Sequence, residues 1–201
     1  DIVLTVKEYA DLLKRRGIDL KELPDEDFDH PLGESSGAGD IFGNTGGVIE
    51  AVARTASKWL SGEVKDVNFT QVRGLSGVRE ALVRVSDDIS LSLCICSGLK
   101  GARDVLEKIK RGEAHYDAIE IMACPGGCVN GGGQPLRQDM EQIDVIKARQ
   151  KGIYDIDKNK LVRISCDNEE IKELYHDYLI APGSEKAHEL LHTVFHDSSK
   201  A

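Results

Sequence analysis

Glu120-Ile-Met-Ala-Cys124-Pro-Gly-Gly-Cys128-Val-Asn-Gly-Gly-Gly-Gln134-Pro135 is the stretch from which the rest of the chain can be read. Cys124 and Cys128 stand four apart, enclose Pro125, Gly126 and Gly127, and are followed by three more glycines. Thiolates are soft ligands that suit iron–sulfur clusters, zinc or copper(I). Glycine lets backbone pass close to a bulky group, at a cost of up to about 1 kcal/mol relative to alanine in regular structure. Eleven of the 20 glycines fall in just two places, 33–47 and 126–133, which points to two backbone surfaces shaped around something. Ile119, Ile121 and Met122 read as a strand running into the cysteine turn. A strand end feeding a glycine-rich turn is where α/β folds place their ligands. The plainer alternative is a surface loop with two stray thiols.

Working outward, Thr5 with Glu8 three residues on forms a capping box for a helix bearing Val6, Tyr9, Ala10, Leu12 and Leu13, which stops at Gly17. Residues 18–46 are turn-rich and predict a long functional loop. Gly46-Gly47 opens a second helix with Ile49, Val52, Ala53, Ala56 and Leu60, closed by Gly62. Strands are predicted at 65–72, 81–86 and 90–96, a helix at 99–111 and a strand at 117–122. Met140, Ile143, Val145 and Ile146 predict a further helix, 151–167 reads as a loop, and two helices follow at 168–179 and 184–195. The expectation is an α/β fold, a mixed β-sheet flanked by helices, in a single domain over 1–201.

Composition is that of an ordinary globular body, with 40% hydrophobic and 30% charged residues. A formal net charge of −9 argues against general nucleic-acid binding. No apolar run approaches the roughly 18 residues that a membrane span needs. Five cysteines, an odd number without a small-scaffold pattern, point to thiol chemistry over a disulfide framework.

The cysteine stretch resembles the third cysteine signature of the iron-only (FeFe) hydrogenases. A second segment is similar to that family independently: Pro31-Leu-Gly33-Glu-Ser-Ser-Gly37-Ala-Gly39-Asp-Ile-Phe42-Gly43-Asn-Thr45-Gly46-Gly47-Val-Ile-Glu50. Val72-Arg73-Gly74-Leu75 and the closing Ser184-Glu-Lys-Ala-His-Glu-Leu-Leu-His192-Thr193 also fit, so the resemblance spans nearly the whole chain. It implies one lobe of a two-lobed catalytic domain that interconverts protons, electrons and dihydrogen at a 4Fe-4S cluster joined to a di-iron subcluster. Cys124 would ligate the cubane and Cys128 would be shared between cubane and di-iron unit. Met122 would lie against the di-iron unit as a polarizable neighbour. Phe42 would belong to an apolar wall excluding water, and the Gly126 and Gly127 amides would donate to cluster sulfurs.

The same resemblance implies that the remaining cluster ligands come from an N-terminal part of the catalytic domain absent from this sequence. The piece alone is then expected to be cluster-free and inactive, with an exposed lobe interface that invites dimerisation. A ferredoxin-type or other electron carrier is the expected partner. The compartment is expected to be the cytoplasm, with the periplasm as the alternative. Two rivals stand beside this reading. One is a non-catalytic hydrogenase-like iron–sulfur protein, an assembly factor or a sensor. The other is a zinc peptidase through His188-Glu189-Leu-Leu-His192, whose histidines would share a helix face with Glu189 as general base. Cys94 and Cys96 read as buried packing residues and Cys166 as a lone reactive thiol; Glu34, Asn44, Thr45 and Gln134 read as binding water or fixing the loops.

Overall fold

The structure, a computed structural model, describes residues 2–27, 29, 33–62, 64, 69–75 and 77–194. Its centre is a three-stranded mixed sheet of order β1-β2-β3, with β1 at Val78–Arg84, β2 at Ser90–Ser97 and β3 at Ala118–Met122. β1 and β2 pair antiparallel, Ala81 opposite Leu93, as the turn at Asp87-Asp88 predicts. β2 and β3 run parallel, Cys96 opposite Ile121 and Ser97 opposite Met122. A parallel pair needs a crossover connection, and the helix α4 (Gly98–Lys110) supplies it.

Alternation along β2 divides its side chains between two faces. Leu93 and Ile95 join Ala81, Val83 and Val85 beneath Ile49 and Ala53 of α3 (Gly47–Ser61). Cys94 and Cys96 turn the other way and pack with Ala102 and Val105 of α4. Both faces of β2 are therefore covered, which is why it reads as the near-continuous apolar run Leu91-Ser-Leu-Cys-Ile-Cys. The capping box appears as predicted on α1 (Val6–Arg15), with Glu8 and Thr5 bonded reciprocally.

Four expectations need correction. The loop 18–46 contains α2 (Gly37–Asp40), capped by the Ser36 side chain and continued by a tight turn at Ile41–Gly43. No strand begins at 69: residues 69–72 form a turn in which Val72 donates to the Phe69 carbonyl, and 65–68 lie outside the described residues. The expected loop after 151 is helical to Asn159, because α5 runs through Gln142–Asn159. Here a buried charge, Asp157, rather than apolar periodicity holds the last turn inward. At the end of the chain, α6 (Glu169–Leu174) passes into a wider turn at Tyr175–Leu179. The terminal helix α7 covers only Glu185–Leu191, since His192 is already extended; residues 195–201 lie outside the described residues.

Candidate cluster-binding site

The cysteine turn leaves the C-terminal end of β3, and β3 is bolted to α3 by Glu120. The buried Glu120 carboxylate accepts from the Gly46 amide at 2.6 Å and the Ile49 amide at 3.0 Å. Gly46, at φ +90°, stands at the N-cap without a side chain, so Glu120 satisfies the helix-start amides in its place. A carboxylate there also meets the positive end of the helix dipole. Sequence reading missed Glu120, because a single acidic residue in an apolar strand carries no local sign of which helix it will cap.

The two glycine-rich segments meet at Gly127. Its backbone, at φ +95° and ψ −165°, lies in a region essentially reserved for glycine. A Cβ built there would sit 2.6 Å from the Gly43 carbonyl oxygen and 2.6 Å from the Thr45 nitrogen. The contact is sealed by the Thr45 amide donating to the Gly126 carbonyl at 3.1 Å. Asn44 is fully buried and donates to the Gln150 carbonyl, while Gln150 donates to Gly126 O at 3.3 Å. Arg79 reaches from β1 to the Thr45 hydroxyl and the Val72 carbonyl. Asn44 and Thr45 thus fix the loops, and Gln134 does the same by donating to Cys128 O.

Cys128 is exposed and Cys124 half-buried, so both thiols belong to an accessible turn above buried Gly126, Gly127 and Val129. Met122, the last residue of β3, is half-buried beside them in sequence. Phe42 lies in the Ile41–Gly43 turn, which packs against the Cys128–Asn130 turn. The residue is 46% exposed and lines an apolar hollow of about 360 Å³ with Val48, Val52 and Trp59 of α3. This chain alone therefore does not shield Phe42 from water. The Gly127 amide is also committed, since it donates to Cys124 O at 3.0 Å, and the expected donation from Gly127 to a cluster sulfur does not match this arrangement.

The donor set fits one side of an iron–sulfur group: two accessible soft ligands on a glycine turn whose backbone is held from below. Among the described residues no third His, Cys, Asp or Glu joins them to complete a metal shell. His188 lies on α7, His192 lies past its end, their rings sit 4.4 Å apart, centre to centre, and among the described residues no third metal-binding side chain groups with them. Cys94 and Cys96 are fully buried, and burial pushes the Cys94 thiol up to about 11. Thiolate is the reactive form. A maleimide or haloacetamide is accordingly expected to label Cys128 fastest in the folded protein, and Cys94 and Cys96 only after denaturation. Peptide mapping that found Cys94 modified as quickly as Cys128 would contradict this burial pattern.

A model of the iron-only hydrogenase large subunit, C-terminal domain, matches residues 1–132. The chain belongs to the iron-only hydrogenase family. A second hydrogenase model, of the iron hydrogenase small subunit, matches residues 143–198, from the first turn of α5 onward. Among curated relatives, the NADP-reducing hydrogenase subunit HndD of Solidesulfovibrio fructosivorans is 49% identical over 194 residues, covering 96% of this chain and 32% of the relative. Protein NAR1 of Arabidopsis thaliana is 31% identical over 207 residues, covering 100% of this chain and 43% of that protein. A solved FeFe-hydrogenase of Chlamydomonas reinhardtii superposes with a TM-score of 0.70 at 37% identity, over 94% of this chain and 53% of the other. This hydrogenase-family chain thus spans about a third of the length of the hydrogenase relative HndD. No helix among its described residues is long and apolar enough to cross a membrane.

Proposed function

We propose that this chain is the part of an iron-only hydrogenase that supplies Cys124 and Cys128 as two thiolate ligands of the active-site iron cluster. The observation that carries the reading is the junction at Gly127. Two glycine-rich segments some 80 residues apart in sequence close on one another without room for a methyl group, and present both thiols on the outer side. When bound, the cluster supplies electron storage and the metal centre at which protons and electrons combine to dihydrogen. The chain's own contribution is positional. Glu120 fixes the strand end, Gly127 fixes the turn, and Met122 and Phe42 offer polarizable and apolar surface beside it.

The partners are then the remaining part of the catalytic domain, which completes the ligand shell and covers Phe42, and an electron carrier. The separate 201-residue chain is inactive and holds no stoichiometric iron, because two thiolates are half of what a cubane takes. Similarity over the whole chain to NAR1 and to cytosolic iron-sulfur assembly component 3 of Bos taurus supports a second reading, a hydrogenase-like iron–sulfur assembly protein that does not turn over hydrogen.

Comparing the whole, cluster-loaded protein with its Cys128→Ser variant tests both readings. The proposal expects hydrogen evolution from reduced dye in the parent, and its loss to background in the variant together with an altered iron spectrum. Iron in the parent without any hydrogen evolution would favour the second reading. Full activity in the variant would remove Cys128 from the site.

A further inference from the structure

The cysteine turn rests on α5. Residues 142, 145, 146, 149, 150, 153, 154 and 157 recur at three- and four-residue steps and so share one face of that helix. Val145 and Ile146 are buried apolar members of this stripe between Gln142 and Arg149, with Ile146 Cγ2 3.0 Å from where a Gly126 Cβ would stand. The polar members on either side aim at the turn. Gln142 Nε2 donates to Asn130 Oδ1 at 2.9 Å, and Asn130 Nδ2 passes the contact on to the Pro125 carbonyl at 3.0 Å. Arg149 sets its fork on two carbonyls, Val129 O at 3.0 Å and Pro135 O at 2.6 Å. Gln150 takes Gly126 O.

We infer that α5 is a clamp on the cysteine turn, in which Arg149 and Gln150 are positioning residues for the two thiols. The inference rests on the cluster reading given above. Gly126 lies two residues after Cys124, and Val129 directly follows Cys128, so tethering their carbonyls fixes the backbone beside each thiol. A planar guanidinium can hold two carbonyls at once; an ammonium has no such rigid fork. Among the described residues no carboxylate pairs with Arg149, so its charge acts on the turn. A cation beside a thiolate-bound iron group favours the reduced form, since net charge and hydrogen bonding set such potentials.

The two effects separate by substitution. In Arg149→Met both the fork and the charge are lost. Amide exchange at Asn130 and Gly131 is expected to quicken by about tenfold or more, as for loss of hydrogen bonds from a charged donor. The midpoint potential of the loaded whole protein is expected to fall. Arg149→Lys keeps the charge without the fork, so it restores most of the potential while leaving the turn fast to exchange. A merely structural role would lower the melting temperature and leave both readouts of the folded protein unchanged. Wild-type protection of the turn in Arg149→Met overturns the inference. Should that variant fail to fold, Gln150→Met carries the same test at the Gly126 end, where unchanged exchange of Gly127 is the overturning result. Exchange is read on protein without iron, so a whole wild-type protein that takes up no cluster sinks the hydrogenase reading and leaves the clamp standing on its own data.

Discussion

Gly127→Ala is expected to be among the most damaging single-methyl additions this chain can suffer. The new Cβ would lie 2.6 Å from both the Gly43 oxygen and the Thr45 nitrogen, and neither is the end of a flexible side chain that can swing away. The backbone conformation itself, φ +95° and ψ −165°, excludes a side chain without strain. Strain of this kind costs about 1–3 kcal/mol before the overlap is added, so about 3 kcal/mol is a fair total, or roughly 6–12 °C in melting temperature for a chain of this size. Gly132→Ala is the internal control, because a methyl there meets nothing within 4 Å and its φ is not positive. Melting curves that place both variants together would show that the two glycine segments do not depend on one another.

Arg54→Met is expected to lower the unfolding free energy by about 3–5 kcal/mol, the usual result of removing one member of a buried ionic group. Arg54 is 3% exposed and lies between two carboxylates, Glu50 at 0% and Asp157 at 1%. It donates to Glu50 at 2.5 Å and to both oxygens of Asp157 at 2.7 and 2.8 Å. Its removal leaves Asp157 to Arg163 and Glu50 to Arg73, both of which are substantially exposed cations. Arg163→Met is expected to cost less, because Arg54 still holds the same carboxylate. Burial opposes ionisation of Asp157, yet hydrogen bonds from Arg54 and Arg163 outweigh it and hold the carboxyl below its ordinary range. A lowered value in the folded state means the contribution is complete above the ordinary aspartate range and is lost as pH falls through the lowered one. The destabilisation by Asp157→Asn should therefore shrink in acid. Denaturant titrations at neutral and acidic pH that gave equal differences would contradict this assignment.

Those buried charges also show where sequence reading stops. Thr5 and Glu8 announce their own helix start, because both capping partners lie three residues apart. Gly46 and Gly62 bound α3, and β2 is legible because it is apolar on both faces. By contrast, α5 was read only in its first turns. Its inward stripe changes from apolar at Val145 and Ile146 to polar at Arg149, Gln150 and Asp157, so hydrophobic periodicity fades where the helix continues. The partners of those polar residues are 14 to over 100 positions away, at Pro135, Val129, Gly126 and Arg54. The end of α7 differs for the opposite reason: apolar Leu190 and Leu191 carry a helical pattern to its limit, but both stay exposed, so burial does not extend the helix among the described residues.

What the amino-acid order settled unaided was the chemistry on offer: soft thiols four apart in a turn that only glycine can make, reached from a strand in an α/β setting. Those features are local, set by backbone sterics and ligand softness, and survive without knowledge of neighbours. Only the folded chain decided that the second glycine segment closes against the first at Gly127, that Glu120 caps α3, and that α5 backs the turn. Each of these joins groups distant in sequence, and a buried carboxylate or guanidinium acquires its role only when folding removes water and leaves one partner within reach.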